Sequence, residues 1–243
     1  LVAEMDLLKL PWNADQSGPK GSIAQKMFGA VADSEVFVTP MAAVAGAVAD
    51  EMLETMLVEA KKPDSCIDHL RKIYVNNGGD IAFWLNEGES FSIGVVDNPQ
   101  IPELNAKVSL AHESQVRGIA TSGWRGRSLS LGIADAVTVL AKSAAVADVA
   151  ATLIANEVNV DFTGIEKRPA SEVKDDSDLG MIPVTVVVPD LAEDKIYIAL
   201  EQGAKSARKF IKDGKITAAY LSLQKQTLVI ENDDKIERAI INN

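Results

Sequence analysis

The sequence predicts an α+β protein in which an antiparallel sheet packs against a few helices. Two observations support this class: strand-like segments follow one another with only turns between them, and the few helical segments do not alternate regularly with strands. The 243 residues are 47% hydrophobic, with Ala and Val more prominent than aromatic residues. This length and composition suit a single domain covering residues 1–243.

In the amino-terminal half the predicted elements are two helices and a series of strands. The helices are expected at about Ser22–Ala32 and from Thr39 and Pro40 to about Ala60, with the rest of the first 38 residues irregular. Thr39 is predicted to cap the second helix, and Pro40 suits its first position. The predicted strands are Lys72–Val75, Ile81–Leu85, Phe91–Val96, Ala106–Ala111 and Arg117–Ala120.

The carboxy-terminal half is predicted to begin with a Val-rich strand at Ala134–Ala141 and a helix from Ser143 to about Val158. The Asp-rich segment Glu166–Gly180 is expected to be a surface loop. The predicted tail consists of strand Ile182–Val188, helix Glu201–Lys212, and strands Ile216–Leu223 and Thr227–Glu231, which form a hairpin at Lys225–Gln226.

Composition excludes several classes of function. A net charge of −11 disfavours binding to nucleic acid or to an anionic membrane, because both need clustered Lys and Arg. Cys66 is the only cysteine and the histidines number two, which excludes an intramolecular disulfide, a Cys-based zinc site and a multi-His metal centre. No apolar run is long enough for a bilayer, and Leu1–Leu10 lacks a signal-peptide pattern. We expect a cytoplasmic protein.

The helix predicted at Ser143–Val158 carries the first candidate site. Asp148, Thr152 and Asn156 are spaced four residues apart and share one face of an otherwise apolar helix. A buried carboxylate must be paired or bind a metal, and carboxylate and hydroxyl oxygens suit Mg²⁺. The alternative is a narrow polar stripe that faces solvent.

A basic segment between Arg117 and Ser128 carries the second candidate site. It contains three of the seven arginines, among them Arg125 and Arg127, interleaved with Gly and Ser. Arginine binds phosphate through two parallel hydrogen bonds, and free N–H groups around Ser122 and Gly123 could form an anion-binding nest. Thr121 is a further candidate ligand-binding residue. The alternative is a loop whose arginines pair with surface carboxylates.

Two further features remain open between structural and functional interpretations. The run Asn77, Gly78, Gly79, Asp80 is a turn signal that could also admit a ligand's phosphate or ring, with Asp80 as hydrogen-bond acceptor. Asp135, after the basic segment, is a candidate general base or metal-shell group, and a salt bridge with Arg125 or Arg127 is the alternative.

Taken in order, these motifs resemble the ApbE family of flavin transferases, which use FAD and Mg²⁺ to attach FMN to a protein threonine. The resemblance rests on Asn77–Asp80, on Gly118-Ile-Ala-Thr-Ser-Gly123, on Ala136-Val-Thr-Val-Leu-Ala and on Ala147-Asp-Val-Ala-Ala-Thr152. It is closer to a less characterised, ApbE-like branch with Pro40-Met-Ala-Ala-Val-Ala-Gly46 and Thr121-Ser-Gly-Trp-Arg-Gly-Arg-Ser128. It implies a T-fold architecture, Mg²⁺ held by Asp148 and Thr152, and FAD or FMN as ligand.

One segment departs from the transferase pattern. Flavin transferases have a His-Ile-Ile-Asp-Pro-like sequence before the Val-Thr-Val strand, whereas the interval from Arg125 to Asp135 contains neither His nor Pro. We therefore expect a small phosphorylated ligand and weigh two functions: a Mg²⁺-dependent phosphoester or FMN transfer enzyme, and a binding protein that has lost the transfer segment. A structural role with a vestigial site is the third alternative. Homo-oligomerisation through the small-residue stretch Met41–Ala49 is left open.

Overall fold

A computed structural model describes residues 1–62, 69–98, 101, 103–231 and 240–242 of the chain; Cys66 lies outside them. The chain divides into two units. The first unit comprises Leu1–Ser92, Ser109–Ala120 and Leu140–Val149, and the second unit comprises Ile93–Val108, Thr121–Val139 and Ala150–Asn243. That residues 1–243 act as a single domain stays a prediction.

The first unit begins with three helices, α1 (Met5–Leu8), α2 (Ser22–Val31) and α3 (Val44–Ala60). Helix α2 confirms the prediction to within one residue, whereas α1 falls in a segment that we expected to be irregular. The start of α3 differs from the prediction, because a 3₁₀ turn (Pro40–Ala43) precedes it and the Thr39 side chain makes no capping hydrogen bond. The cap of α3 comes from a distant part of the sequence, as the site geometry below shows.

The first five strands form largely where the sequence predicts them. They are β1 (Lys72–Asn77), β2 (Asp80–Leu85), β3 (Ser90–Val95), β4 (Ala106–Ala111) and β5 (Gly118–Ser122), of which the last three have residues in both units. Strands β1 and β2 form an antiparallel hairpin in which Asn77 pairs with Asp80, and β2 pairs antiparallel with β5. The turn residues Gly78 and Gly79 have φ of 73° and 112°, a backbone conformation that favours glycine.

The next two elements, β6 (Ala136–Ala141) and α4 (Ala144–Glu157), each contribute residues to both units. All six residues of β6 are buried, as expected of a central strand rich in Val and Ala. In the first unit the strand order is β1-β2-β5-β6. Ala49 and Leu53 of α3 pack with Ala82 and Ala144 there, and Trp84 is among the partly buried residues that pack against this cluster.

The second unit contains β7 (Glu166–Pro169), α5 (Ala170–Val173), β8 (Pro183–Val187), α6 (Glu193–Lys212), β9 (Ile216–Leu223), β10 (Gln226–Glu231) and β11 (Ile240–Asn242). Its strands include the order β5-β6-β9-β10, with β9 and β10 antiparallel. Strands β7 and β8 form a separate antiparallel pair, and β11, β4 and β3 form a three-stranded sheet in that order. Antiparallel pairing together with these helices confirms the α+β class.

Three boundaries in the second unit differ from the prediction. The segment expected to be a loop, Glu166–Gly180, contains β7 and α5, because pairing with β8 orders a sequence that has little strand character of its own. Helix α6 starts at Glu193 rather than Glu201, with acidic residues in its first turn that suit the helix dipole. The β9–β10 turn is made by Gln224 and Lys225. None of the described helices is long and apolar enough to cross a membrane.

Candidate functional site

The clearest functional geometry in the first unit is the carboxylate of Asp148 at the start of α3. Its Oδ2 accepts a hydrogen bond of 3.0 Å from the backbone N–H of Gly46, and the N–H of Ala45 donates to the same carboxylate. These N–H groups lie in the first turn of α3, where no intrahelical acceptor exists for them. Asp148 therefore does what the sequence assigned to Thr39: it caps this helix.

Asp50, in α3, caps the N-terminus of α4 in the same way. Its two carboxylate oxygens accept from the N–H groups of Ala144 and Ala145, at 3.0 and 2.9 Å, in the first turn of α4. Each helix thus supplies an acidic side chain to the N-terminus of the other. The favourable helix dipole and four N–H donors compensate these partly buried carboxylates.

The two helices approach closely because Gly46 has no side chain. A Cβ at this position would lie 2.3 Å from the carbonyl oxygen of Ala144 and 2.7 Å from the N of Ala145. Both are backbone atoms of the α4 N-terminus, so they cannot move aside as a flexible side chain would. Gly46 therefore brings its own N–H within reach of Asp148.

The predicted turn residues lie beside Asp148. Asp80, at the start of β2, is 8% exposed, and its charge is near enough to raise the pKa of Asp148. Desolvation by burial is the larger cause, and together the two effects hold the pKa of Asp148 well above its usual value. Asn77 Nδ2 donates to the Ala45 carbonyl at 3.1 Å, which ties the hairpin to the start of α3.

Gly78 and Gly79 connect β1 and β2 as a hairpin turn, which is the structural one of the two interpretations given above. The N–H of Gly79 donates to the Asn76 Oδ1 at 2.9 Å, which stabilises the turn. A Cβ built on Gly79 would meet no atom of another residue within 4 Å, so space remains beside this turn. Its predicted role in admitting a ligand stays a prediction.

On α4, Thr152 and Asn156 follow Asp148 at intervals of one turn, and all three are partly exposed while the residues between them are buried. Asn156 Oδ1 accepts from the N–H of Leu131 at 2.9 Å, so its role is structural. The Thr152 hydroxyl has no hydrogen bond to any part of the chain that the structure describes. Thr55, by contrast, bonds back to the Glu51 carbonyl in α3. No cluster of three metal-ligating His, Cys, Asp or Glu residues occurs within the described ranges.

In the second unit, Asp135 and Arg125 form the ion pair that was the alternative to a catalytic Asp135. Asp135 Oδ1 accepts from Arg125 Nε at 2.6 Å and from Trp124 Nε1 at 3.2 Å, and Oδ2 accepts from the Gln224 N–H at 2.6 Å. Arg125 also stacks on the Trp124 ring, 4.6 Å from its centroid. Both oxygens of Asp135 are therefore already occupied by donors, which favours an anchoring role.

The remaining residues of the basic segment are not gathered at one point. Arg127 is exposed and makes no ion pair within the described residues, and Ser122 is partly exposed. The Thr121 hydroxyl lies 2.8 Å from that of Thr138. Gly123 is required by close approach, since a Cβ there would lie 2.4 Å from the Asp135 carbonyl oxygen.

The anion nest expected around Ser122 and Gly123 is in part used internally. The Trp124 N–H donates to the Ala134 carbonyl at 3.0 Å, and the Gly126 N–H donates to the Gly123 carbonyl at 3.1 Å. These two N–H groups are committed to the fold of the loop.

Sequence reasoning missed a cavity of about 850 Å³ in the second unit, whose lining includes Asp97, Tyr220 and Ser222. Asp97 is buried at the end of a short strand, and burial raises its pKa. The alternation along β9 that places Tyr220 and Ser222 on one face was visible in the sequence, but nothing local links them to a carboxylate 123 and 125 residues away.

These features define the class: an α+β protein with acidic side chains at helix N-termini in the first unit and a polar cavity in the second. The chain belongs to the family described as AbpE bacteria, whose sequence model matches residues 1–237.

Curated relatives are similar over part of their length. The chain is 34% identical to the UPF0280 protein MK0206 of Methanopyrus kandleri over 151 residues, covering 62% of this chain and 56% of the relative. It is 36% identical to a UPF0280 protein of Methanobrevibacter smithii over 148 residues, covering 60% and 56% respectively. The UPF0280 protein MJ1526 of Methanocaldococcus jannaschii is 33% identical over 128 residues, covering 52% and 48%. The chain thus spans about half the length of the curated relatives it matches.

Proposed function

We propose that the chain binds a phosphorylated ligand of the flavin or nucleotide class together with Mg²⁺, and that Asp148 holds the metal. The observation that carries this proposal is the pair of neighbouring acidic side chains, Asp148 and Asp80, at the N-terminus of α3. A raised pKa means that the ionised form of Asp148 is disfavoured there. A divalent cation would relieve that penalty, because it favours the ionised carboxylate.

The donor set suits a hard cation with few protein ligands. Mg²⁺ is commonly held by one or two carboxylates and completed by water and substrate phosphates. Asp148 supplies a carboxylate, and Thr152, one helical turn further, supplies a hydroxyl without an intrahelical bond. A bound Mg²⁺ would polarise a phosphoryl oxygen of the ligand and neutralise part of its charge.

The ligand class comes from the resemblance to the ApbE family, whose members use FAD. In this chain the Gly79 side of the β1–β2 turn, which Asn77 ties to the start of α3, has room for a neighbouring group. In this interpretation the chain is a phosphoester or FMN transfer enzyme, with Asp135 as its candidate acid or base.

A second candidate is binding without transfer, and the geometry of Asp135 favours it. Both oxygens of this carboxylate accept hydrogen bonds from Arg125, Trp124 and Gln224. A general base must reach the proton that it removes. A residue held in this way is better suited to fixing the loop than to moving a proton.

The test measures thermal stability with FAD, FMN, ATP or no nucleotide, each with and without Mg²⁺. The informative variant is Asp148→Asn, which keeps an acceptor oxygen for the Gly46 N–H but loses the charge. Asp50→Asn is the matched control, since Asp50 caps α4 in the same manner. Ligand at 100 times its Kd stabilises by about 2.7 kcal/mol, which raises Tm by roughly 5–10 °C in a chain of this size.

We expect a Mg²⁺-dependent rise in Tm with one nucleotide, lost in Asp148→Asn and retained in Asp50→Asn. An equal rise in both variants would exclude Asp148 as the metal ligand, and no rise with any nucleotide would contradict the ligand class. Chromatography of the bound nucleotide after long incubation then separates the two candidates. Product formed by the wild type and absent with Asp148→Asn indicates an enzyme, whereas intact nucleotide indicates a binding protein.

A further inference from the structure

The cavity in the second unit is lined by a buried carboxylate, that of Asp97. Asp97 is only 9% exposed, and its Oδ2 accepts from Ser222 Oγ at 2.6 Å and from the Tyr220 hydroxyl at 3.0 Å. Its other oxygen, Oδ1, is buried and has no hydrogen-bond partner within the part of the chain that the structure describes. A buried carboxylate oxygen without a donor costs free energy, so a ligand that donates a hydrogen bond to it would be stabilised there.

The fold holds this carboxylate in place from several directions. The Asp97 N–H donates to Asn105 Oδ1 at 2.9 Å, and the Asn105 N–H donates to the Val95 carbonyl at 2.9 Å. Tyr220 and Ser222 lie in β9, both essentially buried. The side chain is thus oriented by its neighbours, while one oxygen is left without a donor.

The charged groups around the cavity are mostly acidic. Besides Asp97, the carboxyl groups of Glu103, Asp190 and Asp135 line it, and Arg125 and Lys225 are the cations among its lining residues. Arg125 is already paired with Asp135 at 2.6 Å. Outside this ion pair, the charged groups that line the cavity are three carboxyl groups and one cation, Lys225, which is exposed at the β9–β10 turn. This balance attracts a cation and disfavours an anion.

Part of the wall is apolar. Ile101, Leu191 and Ile196 line the cavity together with these polar groups, and Leu191 and Ile196 are buried in the protein. A cavity with an apolar wall and a few oriented polar groups is typical of small-molecule sites. A hydrated metal ion would gain nothing from such a wall, whereas an organic group would.

We propose that this cavity binds a small organic cation, a protonated amine whose apolar body lies against Ile101, Leu191 and Ile196 and whose N–H donates to Asp97 Oδ1. The proposal does not depend on the function proposed above. It concerns a ligand of opposite charge and is tested at Asp97 and Ile101, to which the function proposed above gives no role.

The test uses n-butylamine as probe and 1-butanol as its neutral counterpart of similar shape, titrated into the full chain at pH 7 and constant ionic strength. Ligand-observed NMR suits the weak affinities expected of probes this small. At pH 7 an alkylamine is almost fully protonated, as a lysine side chain is. The variants are Asp97→Asn, Ile101→Lys and Ile101→Gln, each checked for native circular dichroism.

We expect butylamine to bind at least about tenfold more tightly than butanol, and Asp97→Asn to lose at least about tenfold in amine affinity, as for loss of a charge-assisted hydrogen bond. Ile101→Lys places an attached ammonium in the cavity and should compete with the amine, whereas Ile101→Gln should not. If Asp97→Asn fails to fold, the comparison of Ile101→Lys with Ile101→Gln still tests the proposal. Both variants should fold, since the Ile101 side chain is 60% exposed. Equal affinity for amine and alcohol, or equal amine binding by Ile101→Lys and Ile101→Gln, would overturn the proposal.

Discussion

Replacement of Gly46 by alanine adds a single methyl group at the contact between α3 and α4. The added Cβ would lie 2.3 Å from the Ala144 carbonyl oxygen, 2.5 Å from its carbonyl carbon and 2.7 Å from the Ala145 N. These distances are far below van der Waals contact, and the atoms belong to a helix N-terminus that Asp50 holds by two hydrogen bonds. The helices must separate, which also withdraws the Gly46 N–H from Asp148.

The expected cost follows from two opposing effects. Overpacking of a close contact costs about 1–3 kcal/mol, and backbone overlap places this site at the upper end. Replacing glycine by alanine in a helix returns at most about 1 kcal/mol. The net loss is about 2 kcal/mol, or roughly 4–8 °C in Tm for a chain of this size.

The matched control is Gly29→Ala in α2, where an added Cβ meets no atom within 4 Å. That substitution carries the helix-propensity gain without the clash, so it should raise the free energy of unfolding by up to about 1 kcal/mol. Urea unfolding followed by circular dichroism measures both variants. If Gly46→Ala were as stable as Gly29→Ala, the close approach of α3 and α4 and the placement of Asp148 derived from it would be wrong.

Two further predictions concern charge and backbone conformation. Burial and the Asp80 charge raise the pKa of Asp148 above its usual 3.8, so the folded state binds this proton more tightly than the unfolded state does. The free energy of unfolding of the wild type, relative to that of Asp148→Asn, should therefore fall as the pH rises from 3.8 through the raised pKa. Urea unfolding at several pH values measures this, and a constant difference would contradict it. Lys225 has φ of 69°, which costs a non-glycine residue about 1 kcal/mol, so Lys225→Gly should be more stable than Lys225→Ala by about that amount in thermal unfolding. Equal Tm values would refute the strain.

The strands were predictable because their pattern is local. Strand β9 begins and ends at the predicted residues, and β4 does also. The amino-terminal part of α6 was missed, since three charged residues at its start are followed by Ile196-Tyr197-Ile198, a run with strand character rather than helical character. Only the core beneath them, which buries Ile196 and Leu200, shows why they are helical.

The candidate site was predictable in part. Asp148 stands out in the sequence because it is a carboxylate in an apolar helix, and a polar residue in such a position requires a partner. Its partners could not be named, because Gly46 is 102 residues away in the chain. The same limit applied to Thr39, whose expected cap is supplied instead by Asp148.

By itself the sequence determined the α+β class, the positions of most strands and the residue types that would need compensation. Those are consequences of side-chain periodicity and of turn residues, which act over a few positions. Only the tertiary structure decided which helix end Asp148 meets, that Asp135 is paired with Arg125, and that Asp97 lies in a cavity with one unmatched oxygen. Hydrogen bonds and burial of this kind arise between residues that are distant in sequence, so no local pattern encodes them.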